Sequence, residues 1–172
     1  MKIFQGKFHS RKRKIGIVAA RFNEYITKRL LEGAVTALHK AGVKDQHIEI
    51  VWVPGGLEVP QFCKKLREQR WCDALIAIAC VIRGGTYHFE VVSHELTRGI
   101  SQVALETGVP IATAVITADH LEQAIDRAGL KAGNKGEQAA LVALEIASLD
   151  QQLKRKRSNP MNKRLVSKKG ET

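Results

Sequence analysis

Four short, largely apolar runs divide the chain, and a segment with helical spacing follows each of them. The runs cover residues 15–20, 48–53, 74–81 and 111–116. Apolar runs without strict alternation are typical of parallel strands that are buried on both faces. Their alternation with helices predicts an α/β fold, with three α/β/α layers around a central, mostly parallel four-stranded sheet and right-handed crossovers.

Polar residues mark where several of the helices are predicted to start. Asn23 suits the N-cap of the helix after the first strand, Thr86 that of a long helix after the third, and Asp119 that of a short helix after the fourth. A glycine- and lysine-bearing loop is predicted over residues 129–136, and a last helix from about residue 137 to 153.

The 172 residues suit one domain with a sizeable core. We predict that this domain covers residues 15–153. Residues 1–14 hold a few apolar side chains before a basic run, which fits either an N-terminal arm or an edge strand. Residues 154–172 are basic and poor in apolar residues, a composition that predicts a disordered tail.

The net charge of +11 would suit a nucleic-acid-binding protein if it lay on one face of the domain. However, eight Lys and Arg residues oppose one acidic residue, Glu171, in the tail, so the tail alone carries +7. The charge therefore argues against nucleic-acid binding by the domain and leaves open only binding through the tail. Such binding would fall steeply with salt and would be lost with the tail.

The cysteines and the hydrophobic profile predict a cytoplasmic protein with no membrane partner. Cys63, Cys72 and Cys80 are odd in number and lack the spacing of a metal site, so we interpret them as reduced packing residues. The sequence has no apolar run of membrane-spanning length and no hydrophobic signal region after its first basic residues.

Candidate ligand groups follow three of the predicted strands. Phe22 and Asn23 come after the first strand, residues 56–58 after the second, and Thr86 and His88 after the third. The carboxyl edge of an open α/β sheet is where such folds bind ligands, and free N–H groups at helix starts favour anions. Taken singly, each residue also fits a role without function: an aromatic in the core, a carboxylate that stabilises a helix dipole or a histidine on the surface.

Arg127 and Lys135 could supply positive charge to a phosphate, although each could equally be a solvated surface cation. The sequence contains no Walker motif, no G-x-G-x-x-G motif and no Ser-His-Asp arrangement that would indicate a hydrolase. Nucleotide hydrolysis and hydride transfer are therefore disfavoured.

Five segments of the chain together resemble the 6,7-dimethyl-8-ribityllumazine synthase family. They are residues 20–23 (ARFN), 53–60 (VPGGLEVP), 81–90 (VIRGGTYHFE), 122–129 (EQAIDRAG) and 131–136 (KAGNKG). The resemblance covers roughly residues 15–149 in order and spacing. Several such motifs in one order are far more specific than any one of them.

The resemblance implies a flavodoxin-like fold and the penultimate step of riboflavin biosynthesis. In that reaction 5-amino-6-(D-ribitylamino)uracil condenses with 3,4-dihydroxy-2-butanone 4-phosphate to give 6,7-dimethyl-8-ribityllumazine, with loss of phosphate and two waters. No cofactor and no metal are implied. The protein would be a transferase that acts on small molecules.

The resemblance also implies roles for individual residues. His88 would be the catalytic group that moves protons, which suits an imidazole because this group takes up and returns protons near neutral pH. Gly85, Thr86 and Arg127 would hold the phosphate. The pyrimidine and its ribityl chain would be held by Phe22, Asn23, Gly56, Leu57, Glu58, Cys80, Val81, Ile82, Thr113 and Lys135.

In the family the site lies between neighbouring subunits, which implies a homopentamer. One chain would contribute Phe22, Glu58 and His88, and the next would contribute Thr113, Arg127 and Lys135. Some relatives assemble twelve pentamers into a hollow shell. The resemblance leaves open both this 60-subunit form and an association with riboflavin synthase.

Three places depart from the family pattern. Thr113 stands where the family usually has an aromatic residue beside the pyrimidine, and Tyr87 is bulkier than the small residue often found before the histidine. Asp119 and His120 replace a more usual Glu-Asn pair after the fourth strand. None of these changes removes a residue to which chemistry is assigned.

A second class of function fits the same fold, namely a flavin-binding or carrier module without catalysis. Relatives with depleted sites would be expected to lack His88 or Arg127, and this sequence has both. A turnover assay separates the two hypotheses.

Overall fold

Four parallel strands form the central sheet in the computed structural model, which describes residues 1–9, 12–69 and 71–158. The strands are β1 (Ile15–Ala20), β2 (Ile48–Val53), β3 (Ala74–Ile82) and β4 (Ile111–Ala118). They lie in the order β2-β1-β3-β4, and every neighbouring pair is parallel. The four predicted strands are confirmed, and all of their carboxyl ends lie at one edge of the sheet.

The helices cover both faces of the sheet. They are α1 (Glu24–Lys40), α2 (Val59–Glu68), α3 (His88–Thr107), α4 (Leu121–Arg127) and α5 (Lys135–Ser158). One hydrophobic cluster packs α1, α4 and α5 against one face, and a second packs α2 and α3 against the other. All six residues of β1 are buried, because the strand lies inside both clusters. The fold is therefore three-layered and flavodoxin-like, as predicted.

Strand β4 lies at the edge of the sheet and is only partly covered on the α3 side. Its even-numbered residues from Ala112 to Ala118 are buried under α5, while Thr113 and Thr117 on the other face are exposed. This alternation is typical of a strand with one face in the core. The side chain at position 113 is thus accessible on the surface of the single chain.

Of the three predicted helix caps, Asn23 holds the cap position but makes no capping bond, and Asp119 and Thr86 each lie one residue before the cap position. Asn23 precedes α1 with φ 57°, and its side chain makes no capping hydrogen bond to α1. The residue before α4 is His120 and not Asp119. Thr86 lies one residue before the cap position of α3, which Tyr87 occupies. The side chain of Asn23 instead bonds to Cys80 on β3, and that of Asp119 bonds to Arg83, the residue after β3, as described below.

The predicted loop at 129–136 is a small antiparallel ladder of β5 (Ala128–Leu130) and β6 (Gly133–Asn134) that leads directly into α5. Asn134 caps that helix: its Oδ1 accepts hydrogen bonds from the N–H groups of Gly136 at 2.8 Å and Glu137 at 3.3 Å. The cap moves the start of α5 to Lys135, two residues before the predicted start.

The N-terminal residues form an arm and no edge strand within the described ranges 1–9 and 12–14. The arm lies along α5, where Gln5 accepts a hydrogen bond from Gln152 at 2.8 Å and Arg13 donates one to Gln151 at 2.8 Å. Helix α5 continues to Ser158, so the predicted tail boundary at residue 154 falls within it. The predicted disorder of residues 159–172 lies outside the described residues.

Candidate active site

A cleft of about 400 Å³ opens at the carboxyl edge of the sheet, between the turn after β2 and the start of α3. Its wall is largely apolar, and its polar groups are few and convergent, as in many small-molecule sites. It is lined by Phe22, Gly55, Gly56, Leu57, Glu58, Cys80, Val81, Ile82, Gly84, Thr86, His88, Phe89 and Val92. Residues that lie up to 70 positions apart in the sequence, from Phe22 to Val92, therefore share one cleft.

The turn between β3 and α3 carries the polar side of the cleft. Residues 84–87 are exposed, and α3 begins at His88, whose side chain lines the cleft. The Thr86 hydroxyl accepts a long hydrogen bond of 3.4 Å from the His88 backbone N–H. The N-terminus of α3, which is the positive end of the helix dipole, thus lies beside one imidazole, an arrangement that can bind an anion and move protons.

The turn after β2 is a single 3₁₀ helix, Gly56–Glu58, which is stabilised by its own carboxylate. The Gly55 N–H donates a hydrogen bond of 2.8 Å to Glu58 Oε2. A Cβ atom at position 56 would lie 3.2 Å from Leu96 Cδ2, so this turn packs closely on α3. Glu58 therefore has one oxygen bonded to the backbone, and the residue lines the cleft.

Phe22 is 68% exposed, which excludes the alternative of a core aromatic in the single chain. Its N–H donates a hydrogen bond of 3.0 Å to Pro54, so the turn after β1 is tied to the turn after β2. Asn23 Nδ2 donates a hydrogen bond of 3.0 Å to the carbonyl oxygen of Cys80. Asn23 thus fastens the same turn to β3 and does not line the cleft.

The floor of the cleft is the end of β3, with Cys80, Val81 and Ile82. Burial raises the pKa of the Cys80 thiol to about 12. Near neutral pH this side chain is therefore a neutral thiol, and it offers apolar contact in place of a nucleophilic thiolate. The interpretation of Cys63, Cys72 and Cys80 as reduced residues agrees with their buried free thiols.

Besides Asn23, four of the predicted site residues do not line this cleft. Gly85 belongs to the exposed turn but is not part of the cleft lining, and Thr113 lies exposed on β4. Arg127 ends α4 and donates a hydrogen bond of 3.0 Å to the Gln123 carbonyl oxygen. Lys135 starts α5 and donates one of 2.9 Å to Gln138. A single chain therefore brings His88 together with Phe22, residues 56–58 and residues 80–82, and leaves Arg127, Lys135 and Thr113 elsewhere on its surface.

Sequence reasoning assigned no role to Arg83 or Phe89. Phe89 lines the cleft, and the Arg83 guanidinium lies 4.2 Å from the centroid of the Phe89 ring. Arg83 also forms ion pairs with Glu90 and Asp119. The sequence offered one signal for this arrangement, namely that two oppositely charged residues, Arg83 and Glu90, flank the Gly84-Gly85 turn. It offered none for Asp119, because that residue is 36 positions away from Arg83.

Two features of the described residues bear on the class of function. No group of three or more His, Cys, Asp or Glu side chains in that part of the chain is placed to hold a metal ion. None of its helices combines the length and the apolar character needed to span a membrane.

Comparison with known proteins places the cleft in a family context. A family model described as 6,7-dimethyl-8-ribityllumazine synthase matches residues 12–151. A relative with this name from Kosmotoga olearia is 47% identical over 153 residues, which are 89% of this chain and 98% of the relative. Relatives with the same name from two strains of Clostridium kluyveri are 45% identical over 153 residues, 89% of this chain and 99% of each relative.

Proposed function

This chain belongs to the 6,7-dimethyl-8-ribityllumazine synthase family, and from that premise we propose which reaction its cleft performs. The protein is a lumazine-forming transferase of riboflavin biosynthesis. Its substrates are 5-amino-6-(D-ribitylamino)uracil and 3,4-dihydroxy-2-butanone 4-phosphate. The products are 6,7-dimethyl-8-ribityllumazine, phosphate and two waters.

One observation carries this proposal. Phe22, Glu58 and His88 come from three separate family motifs, and all three line the same cleft at the carboxyl edge of the sheet. The condensation needs a ring-binding surface, an acceptor for ribityl hydroxyls and a group that moves protons. An exposed phenyl ring, a carboxylate in the cleft lining and an imidazole supply these three functions.

In this proposal His88 transfers the protons. Formation of the imine between the uracil amine and the ketone, loss of phosphate and ring closure each move protons to or from carbon, nitrogen or oxygen. A single imidazole that accepts a proton in one step and returns it in another serves this sequence. Cys80 cannot replace it, since burial keeps its thiol protonated near neutral pH.

Binding of the uracil is assigned to the apolar part of the cleft. Phe22 stacks on the pyrimidine, and Cys80, Val81 and Ile82 form the wall beside it. The segment Gly56–Glu58 holds the ribityl chain. Ring stacking and burial in such a cleft favour a flat aromatic substrate, and the few polar groups fix its orientation.

The phosphate is assigned to Gly85, Thr86 and an arginine from a second subunit of a homopentamer. Arg127, Thr113 and Lys135 lie outside the cleft of their own chain, which supports a site completed by a neighbour. In this arrangement Arg127 of the partner subunit grips the phosphate beside the exposed turn. A guanidinium can do so through two parallel hydrogen bonds.

The test of the proposal is turnover. The two substrates are mixed with the purified protein while the absorbance of the lumazine is followed, and the native mass is measured in parallel. Lumazine formation at a rate well above that of the unassisted condensation supports the enzyme. Tight binding of a flavin or lumazine without turnover would support the carrier hypothesis and reject this proposal. A monomeric mass with full turnover would reject the shared site.

Arg127→Ala is expected to weaken the apparent affinity for the butanone phosphate by about tenfold to a hundredfold. A charge-assisted hydrogen bond contributes roughly 1.5 to 3 kcal/mol, and about 1.4 kcal/mol corresponds to a factor of ten. Arg127→Lys should restore the affinity only in part, because an ammonium lacks the planar fork. The apparent affinity for the uracil serves as the internal control and should change little. An equal loss for both substrates, or no loss for the phosphate substrate, would refute the assignment.

Truncation after Ser158 is expected to leave turnover and native mass unchanged. The family match ends at residue 151, and the relatives align over only 153 residues. The residues removed therefore lie beyond the segment that the family model matches. Comparing turnover and native mass of the full and shortened chains checks this, and loss of assembly in the shortened chain would contradict it.

A further inference from the structure

The turn that presents His88 has little structure of its own to hold it. Residues 84–87 are exposed, and a Cβ atom at Gly84 or Gly85 would have no neighbouring atom of the described chain within 4 Å. The hydrogen bond from the His88 N–H to the Thr86 hydroxyl is long, at 3.4 Å. Contacts outside the turn must therefore fix where the His88 imidazole sits.

Arg83, the residue just before this turn, makes those contacts. Its backbone N–H donates a hydrogen bond of 2.9 Å to Ala118 at the end of β4. Its Nε donates one of 2.8 Å to Asp119 Oδ1, and its Nη1 donates one to Glu90 Oε1. One guanidinium thus joins the end of β4 to the first turn of α3, across the base of the turn that carries His88.

The partner of Arg83 on α3 is close to the reacting group. Glu90 follows His88 by two residues and is half-buried, and its Oε2 is buried without a hydrogen bond from any described residue. Arg83 holds the pKa of Glu90 below its ordinary value through their hydrogen bond. The Phe89 ring, which lies under the guanidinium, forms part of the cleft wall. Loss of Arg83 would therefore remove a contact from Phe89 and from Glu90, the two residues that follow His88.

We propose that Arg83 is a positioning residue of the condensation, one that holds the first turn of α3 so that His88 meets the substrate in the productive orientation. The inference rests on the proposed function. In it Arg83 touches neither substrate, and it acts through Glu90, Phe89 and Asp119. The contacts of Arg83 with Glu90, Phe89 and Asp119 together form a clamp across the base of the turn.

The central test is Arg83→Gln, with Arg98→Gln as the matched control. Arg98 lies on the same helix as His88 and also pairs with a carboxylate, Glu95, at 2.7 Å, but the pair lies on the exposed surface. Displacement of a catalytic group by about 1 Å can cost about a hundredfold in rate. We expect Arg83→Gln to lower kcat by about tenfold to a hundredfold while the KM for the uracil changes little, and Arg98→Gln to behave as wild type.

A double-mutant cycle of Arg83 and Asp119 tests whether the two residues act as one unit. Asp119→Asn alone should lower kcat less than Arg83→Gln does, because the contact to Glu90 remains. In the Arg83→Gln background, Asp119→Asn should add almost nothing, because residues that act as one unit are not additive. Fully additive losses would overturn the proposal. Arg83→Lys should recover part of kcat, since an ammonium can keep one of the two ion pairs.

Amide hydrogen exchange gives a readout that does not depend on turnover. Arg83→Gln should speed exchange in residues 84–92 of the unliganded protein, and Arg98→Gln should not. If wild type fails to make lumazine but this exchange difference appears, the proposed function fails and the clamp stands as a structural feature.

Three results would overturn the positioning role itself. Wild-type kcat with unchanged exchange in Arg83→Gln would show that the turn does not depend on Arg83. A higher KM for the butanone phosphate with unchanged kcat would show that Arg83 contacts the phosphate directly. A urea midpoint that falls in proportion to the lost activity would show a global loss of stability instead of a local displacement.

Discussion

Replacement of His88 with alanine is expected to slow lumazine formation by about 10²-fold to 10⁴-fold, the range that is typical when a general acid or base is removed. The reason is that the imidazole is the titratable side chain that the start of α3 places in the cleft, beside the exposed turn 84–87. Steady-state rates at saturating concentrations of both substrates measure the effect.

The loss is expected to fall toward the lower end of that range. An amine and a ketone condense unaided in water, and the variant still holds the two substrates side by side. The fold should be unaffected, because the His88 side chain is exposed and packs into neither hydrophobic cluster. Far-UV circular dichroism and native mass should therefore match those of the wild type.

The matched control is His94→Ala. His94 is an exposed histidine on the same helix, six residues further on and outside the cleft lining. Its replacement is expected to leave the rate within about twofold, as for surface substitutions away from a site. Unchanged turnover in His88→Ala, or equal losses in both variants, would remove His88 from the chemistry.

The strands were predictable because burial on both faces leaves a clear pattern. Residues 15–20 and 74–81 are almost continuous apolar runs, and they became the two central strands, β1 and β3. Edge strands carry a weaker pattern because one face is open, which explains why β4 runs two residues past its predicted end, to Ala118. The helices α2 and α3 likewise follow from their apolar spacing and from Pro60 and Gly108 at their ends.

The helix caps were less predictable, because a short polar side chain has several competing partners. Asn23 could cap α1, but its amide bonds to Cys80, which is 57 residues away and adjacent only in the folded sheet. Asp119 could cap α4, but its carboxylate pairs with Arg83. Both exceptions lie at the carboxyl edge of the sheet, where long-range contacts decide the local structure.

The candidate site likewise has one part that the topology predicted and one part that it did not. Phe22, Glu58 and His88 follow strand ends, so the topology predicted that they would meet, and they do. Arg127 and Lys135 were predicted from charge and from the family resemblance, and in one chain they lie away from the cleft. The periodicity of apolar residues predicts the elements of one chain, and it contains no information on contacts between two chains.

The helix that follows the β5–β6 ladder crosses α1 at a glycine. A Cβ atom at Gly136 would lie 1.8 Å from the carbonyl oxygen of Leu30, and one at Gly33 would lie 2.4 Å from Cγ of Asn134. Asn134 sits between the two helices, caps α5 and donates a hydrogen bond of 2.9 Å to the carbonyl oxygen of Arg29. The close approach of α1 and α5 therefore depends on position 136 being a glycine, which has no side chain.

Gly136→Ala is accordingly expected to lower the free energy of unfolding by about 3 kcal/mol or more, at the upper end of the cost of overpacking a core. A flexible side chain could turn away from the new methyl group, but the Leu30 carbonyl belongs to the backbone of α1, so the helices themselves must separate. Urea unfolding at a fixed protein concentration measures the change, because the midpoint of any self-associating protein depends on concentration. The control is Glu137→Ala, an exposed neighbour whose loss from the first turn should cost less than about 1 kcal/mol. Equal midpoints for the two variants would show that α1 and α5 do not pack as closely as Gly136 allows.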